Sequence, residues 1–108
     1  MLLAGCTMGG ISDEPLAGEY VLITDDEDLN EYSIGRRRQE NWTLLIGAVT
    51  HIAHDQNFIL AIGYDGYFIV RVREQQTFGP LSAREFQEKR KTLQVPPGLH
   101  LKVLPPLD

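Results

Sequence analysis

The stretch Phe58-Ile59-Leu60-Ala61-Ile62-Gly63-Tyr64-Asp65-Gly66-Tyr67-Phe68-Ile69-Val70-Arg71-Val72-Arg73 decides how this chain is read. Two runs rich in β-branched and aromatic residues flank Asp65-Gly66. Such runs favour strands. Asp-Gly favours the tight turn between them, because a type I′ turn needs positive φ at both central residues. The expectation is an antiparallel hairpin. Alternation puts Phe58, Leu60, Ile62 and Tyr64 on one face of the first strand and Ile59 and Ala61 on the other. Tyr64 and Tyr67, on either side of the turn, read as a cross-strand pair.

Upstream of the hairpin, His54-Asp55-Gln56-Asn57 has turn chemistry. Before it, Thr43 to Ala53 is an apolar run too long for one ordinary strand, and Gly47 marks a bend or bulge in it. Residues 39–42 read as a break, and 32–38 alternate as a half-exposed strand does. Residues 25–31 form an acidic connection, and 18–24 a first strand.

Downstream, Ser82 stands three residues before Glu85, the spacing of a capping box, and Leu81 and Phe86 take the positions of a hydrophobic staple. Lys89, Arg90 and Lys91 suit the far end of the helix macrodipole, and Pro96-Pro97 forbid continuation. Ala83, Phe86 and Leu93 share a narrow stripe, so the helix docks on something. Residues 99–104 read as a last short strand. The fold class expected is α+β: an antiparallel β-meander of about four to six strands with one C-terminal helix, about 82–93, packed on the sheet.

The chain has 108 residues, a size that suits one small domain. Its formal net charge of −5 disfavours nonspecific binding to nucleic acid, and its single cysteine cannot form an internal disulfide. No stretch approaches the ~20 apolar residues of a membrane-spanning helix.

That cysteine lies in Leu3-Ala4-Gly5-Cys6, which resembles a lipobox, the end of a bacterial lipoprotein signal peptide. The resemblance implies a diacylglyceryl group on the Cys6 sulfur, cleavage before Cys6 and acylation, palmitate included, of the new amino terminus. Thr7 rather than an aspartate after the cysteine implies the outer membrane. Residues 1–18 then read as signal remnant and flexible tether, and 19–108 as one small globular domain that folds without residues 1–17. A leader of this kind places a basic segment and an apolar core upstream of what is seen here. The run from Val49 to Ala61, the hairpin, and the stretch from Gly79 to Leu93 also resemble small bacterial domains of unknown function, many carried on lipoproteins. That likeness spans roughly residues 19–95 and implies fold and location without a reaction.

Several clusters are candidate sites. His51, His54 and Asp55 offer two imidazoles and a carboxylate. On a strand, however, positions three apart face opposite sides, and a zinc site needs three or four ligands. Only His100 or a further carboxylate completes it, so they are weak metal candidates and a weak basis for a metal-dependent hydrolase. Asp26, Asp28 and Asn30 have the early spacing of a calcium loop, but Glu31 replaces its glycine and Arg37 its final glutamate. The acidic run is instead a solvated loop, a contact surface for a basic partner carried by Asp25, Asp26, Glu27 and Asp28, or, least favoured, a looser cation site. Trp42 is a core-edge residue or a partner anchor. Arg36-Arg37-Arg38 suit phosphates, but the acidic loop just before them and the net charge of −5 favour internal or inter-strand neutralisation over nucleic-acid binding. Asn41-Trp42-Thr43 matches a glycosylation sequon without consequence in a bacterial lipoprotein.

No nucleophile or catalytic set accompanies these residues, so no cofactor is expected. The function expected is a small periplasmic lipoprotein, membrane-anchored through Cys6, that binds another envelope or secreted protein. One form is an immunity or inhibitor protein against a toxin or cell-wall hydrolase. The alternatives are a structural envelope lipoprotein and, less favoured, the hydrolase on His51, His54 and Asp55.

Overall fold

The computed structural model describes residues 11–25, 31–38 and 41–106. Cys6, Asp26, Glu27 and Asp28 lie outside the described residues. The described chain runs β1 (Ile11–Ala17), β2 (Tyr20–Asp25), β3 (Glu31–Arg38), β4 (Asn41–Val49), β5 (His51–His54), β6 (Phe58–Gly63), β7 (Gly66–Arg71), β8 (Gln76–Leu81), α1 (Ala83–Leu93) and β9 (Lys102–Val103). The strands form two antiparallel sheets, ordered β1-β2-β3-β4 and β8-β7-β6-β5-β9. The fold is α+β with one C-terminal helix on the sheet, as expected. The nine strands among the described residues exceed the four to six expected, because the meander is divided between two sheets.

The central hairpin is the middle of three layers. Ile59, Ala61, Phe68 and Val70 face the first sheet and pack with Tyr20, Leu22, Ile34 and Ile46. Leu60 and Ile69 face the other way, towards Phe86 and Val95. Ile59, Leu60, Ile69 and Val70 are fully buried. Covering on both faces is why the hairpin sequence is apolar almost without interruption. Each such side chain contributes about 1.5–3 kcal/mol by leaving water.

The long apolar run before the hairpin is one chain segment shared by two sheets. Opposite it, the β3–β4 register shifts twice between Tyr32 and Gly35. The bulge expected at Gly47 is there, but Ala48 carries the positive φ, at 49°. Beyond it the chain joins the second sheet: Tyr64 N donates to Gly47 O, Thr50 N to Ile62 O, and Leu104 N to Thr50 O. A bulge increases local twist and so lets a strand turn such a corner.

The hairpin turn differs from expectation by one residue. Gly63 pairs with Gly66, so Tyr64 and Asp65 are central, and neither has positive φ. Gly66 has φ of +147°, and a Cβ there would meet Leu81 O at 2.9 Å. Close approach of β8, which the hairpin sequence does not encode, sets the requirement for glycine. The expected Tyr64–Tyr67 pair is absent: Tyr64 is 87% exposed, whereas Tyr67 pairs with Ile62 and stacks on Phe86 at 4.9 Å. The other turn is as read, with the Asp55 carboxylate accepting from Asn57 N and Phe58 N, both at 2.8 Å.

The helix starts at its predicted cap. Glu85 N donates to Ser82 Oγ at 3.1 Å and Ser82 N to Glu85 Oε1 at 2.8 Å. Gln94 ends it in the left-handed conformation, and Val95 N donates back to Arg90 O. Phe86 is its buried anchor, and Leu81 and Leu93 pack beside it. Ala83, expected on the same stripe, is exposed. Ser82→Ala is expected to cost about 0.5–2 kcal/mol through loss of the cap. Thermal melting checks it, and an unchanged melt would mean that the cap bond contributes nothing.

Two stretches were not legible as strands. Residues 11–17, read as tether, form β1 and pair with β2 from Ile11↔Asp25 to Ala17↔Tyr20. Leu16 and Ala17 pack against the core, so residues 11–17 form an edge strand of the folded domain and not part of a free tether. Pro15 and the acidic Asp13-Glu14 hid this strand, yet all three are compatible with a sheet edge. β8 was hidden likewise by Gly79-Pro80, and it too is an edge.

Candidate functional site

The β2–β3 hairpin brings Asp25 opposite Glu31, so the run of Asp26, Glu27 and Asp28 joins the two strand ends. Beside this base runs the C-terminal segment. Leu104 points into the core, and its backbone N donates to Thr50 O. Alternation then turns Val103 outwards, and it is 70% exposed. Tyr32 OH donates to Pro105 O at 2.8 Å and ties the segment to β3. The result is a groove of about 370 Å³ lined by Glu31, Tyr32, Val49, Val103 and Pro105, among others. An apolar shelf therefore lies at the foot of the acidic hairpin. Neither half predicts the other in sequence, because Tyr32 and Pro105 are 73 residues apart.

The arginines stand elsewhere. β3 runs from Glu31 to Arg38, which at about 3.4 Å per residue separates its ends by about 24 Å. Arg36 Nη1 donates to Gln75 Oε1 at 3.3 Å, and Arg37 N to Glu19 O at 2.8 Å. Glu31 therefore stands at the other end of β3 from Arg38, farther off than the screening length of ~8 Å at physiological salt. The first sheet has an acidic end and a basic end.

Trp42 pairs with Arg37 at that basic end. Trp42 and Asp25 thus sit at opposite ends of the sheet and do not form one contact surface.

The histidine cluster is also dispersed. β5 places Ile52 in the core against the first sheet and Ala53 in the core against the helix. His51 therefore shares the helix-side face, and His54 the opposite one. His51 Nδ1 is 2.8 Å from Thr50 Oγ1, and the Asp55 carboxylate is occupied in its turn. His51, His54 and Asp55 do not converge. The structure instead puts His54 and His100 on one open groove of about 630 Å³, with Ile52, Leu99 and Lys102. His100 is far from His54 in the sequence; the antiparallel β5–β9 register, Ile52↔Lys102, is what brings it alongside. Among the described residues no group of three or more His, Cys, Asp or Glu could hold a metal ion.

No helix among the described residues is long and apolar enough to cross a membrane. No protein-family model matches the chain, and neither a curated protein nor a solved structure matches it.

Proposed function

We propose that this protein is a lipid-anchored, non-enzymatic protein-binding module of the bacterial envelope, held on the periplasmic face of the outer membrane through Cys6. Its contact surface is the acidic end. The observation that carries this reading is the exposed Val103 shelf at the foot of the Asp25–Glu31 hairpin. An apolar centre beside a charged rim suits protein recognition: the centre supplies contact area and the rim speeds encounter with a basic surface. An immunity or inhibitor protein that closes a basic enzyme cleft is the specific form favoured.

The anchor bears on the partner. Ile11 pairs with Asp25, so β1 starts at the acidic end. Five residue steps link Cys6 to Ile11, a reach of at most about 18 Å. A lipid on Cys6 would hold the acidic end near the membrane, which favours a partner working at the membrane surface.

The test places a photo-crosslinking residue at position 103 of the full-length protein in its own cells. One dominant protein adduct is expected, lost when Asp25, Asp26, Glu27 and Asp28 are changed to Asn, Asn, Gln and Asn. The same probe at the exposed Lys91 on the helix should give none. No adduct at 103, or one indifferent to the four charges, would overturn the contact surface. Labelled palmitate that fails to reach Cys6 would overturn the anchor.

A further inference from the structure

The basic end of the first sheet collects its charge from separate stretches of chain. β3 ends in Arg36-Arg37-Arg38. β7 ends in Arg71, and Arg73 lies in the turn that follows. Arg36 Nη1 donates to Gln75 Oε1 at 3.3 Å and so joins the strand end to that turn. The β1–β2 turn closes the group: Arg37 N donates to Glu19 O, and a Cβ on Gly18 would meet Val72 Cγ1 at 2.9 Å. Half of the chain's 10 basic residues therefore stand at one end of a molecule whose net charge is −5.

The acids nearby do not use up this charge. Glu74 pairs with Arg71 at 3.3 Å. Asn57 O accepts from Val72 N and brings the Asp55 turn alongside, but the Asp55 carboxylate is held by Asn57 N and Phe58 N. Glu19 is the other acid on these stretches. Arg38 and Arg73 are exposed, and neither forms an ion pair among the described residues. A guanidinium fork grips two oxygens of a carboxylate or phosphate at once. The arginine end therefore fits oxyanions borne by something outside the molecule.

We infer that this end binds the cell-wall polymer, peptidoglycan, through the carboxylates of its stem peptides; the inference rests on the envelope anchor proposed above. The tether selects the source of the oxyanion. It leaves β1 at Ile11, opposite Asp25, and β3 sets the arginines about 24 Å from that end. They are turned away from the bilayer and its phosphates, towards the wall. Charge density selects as well. A dense polyanion such as nucleic acid would also meet the acidic remainder of the chain and be repelled. Peptidoglycan carries isolated carboxylates on uncharged sugars, so a small cluster of arginines meets them without that penalty. Trp42 holds the register position next to Arg37, and an aromatic residue among arginines suits a polymer of sugar rings. The contact is led by exposed charges, so salt weakens it.

Pelleting of the 108-residue chain with purified peptidoglycan, at about 50 mM and about 200 mM salt, tests this. The wild type is expected in the pellet at the lower salt, with severalfold less at the higher. Arg38→Gln combined with Arg73→Gln should move most of it to the supernatant at the lower salt, with the melting curve unchanged because both side chains are exposed. Neutralising Asp25, Asp26, Glu27 and Asp28 should leave pelleting intact. Phosphatidylglycerol vesicles and a DNA duplex, the other oxyanion sources, should retain little. A wild type that stays in solution, pelleting indifferent to salt or to the two arginines, or pelleting lost with the four acids would overturn the site. Equal retention on vesicles or DNA would overturn peptidoglycan as its ligand. The unlipidated chain suffices for pelleting, so this result is read apart from the palmitate label on Cys6 and the adduct at position 103.

Discussion

Phe86→Ala is expected to lower stability by about 3–5 kcal/mol, the range for removing a fully buried aromatic side chain. Phe86 is 1% exposed and is the only residue of α1 buried to that degree. It stacks on Tyr67 at 4.9 Å, and the guanidinium of Arg90 lies 5.8 Å from its ring centre. Arg90 in turn donates to Pro96 O and Leu99 O. Losing the ring opens a cavity under the helix and loosens the turn that leads to β9. A chain of this length has a total stability of about 5–15 kcal/mol. At about 4–8 °C per kcal/mol, a loss of 3 kcal/mol lowers the melting temperature by roughly 12–24 °C. Thermal unfolding followed by circular dichroism measures it. A shift under about 4 °C would mean that the helix does not depend on this anchor.

The second large effect is removal of β1. A chain beginning at Gly18 is expected to lose roughly 2–4 kcal/mol, from half-buried Leu16 and the net contribution of the ladder bonds to β2. The six paired positions between Ile11 and Ala17 vanish, and the core beside Tyr20 and Leu22 is uncovered. The new edge would be Tyr20-Val21-Leu22-Ile23-Thr24, which has no charge. An uncharged strand edge is a template for association, so the shortened protein should also aggregate. Urea unfolding of the two chains gives the midpoints, and light scattering the aggregation. Equal midpoints would mean that β1 is dispensable.

The elements most legible in the sequence are those whose signals are local. The helix boundaries follow from Ser82 and Glu85, three residues apart, and from Pro96-Pro97 just beyond the end. The Asp55 turn closes within three residues. The strands β6 and β7 follow from two β-rich runs. In each case the deciding contacts lie within a few positions, so propensity and spacing are enough. β1 and β8 were illegible for the opposite reason. Their proline, glycine and acidic residues argue against a strand taken alone, and only an edge position in a sheet makes them acceptable.

The candidate site shows the same division. The acidic run, the arginines, Trp42 and the histidines are all visible in the sequence. Their grouping is not. The eight-residue length of β3 separates the acidic run from the arginines, and the period of two along β5 parts His51 from His54. The apolar shelf exists because Leu104 turns into the core and Val103 therefore out, beside Tyr32 on a strand formed 73 residues earlier. By itself the sequence determined an α+β chain, its capped helix, its central hairpin and its stock of charges. The tertiary structure alone decided that the meander divides into two sheets at Thr50, which strands lie at edges, and which side chains meet, because those depend on pairings between residues far apart in the chain, where local preference carries no information.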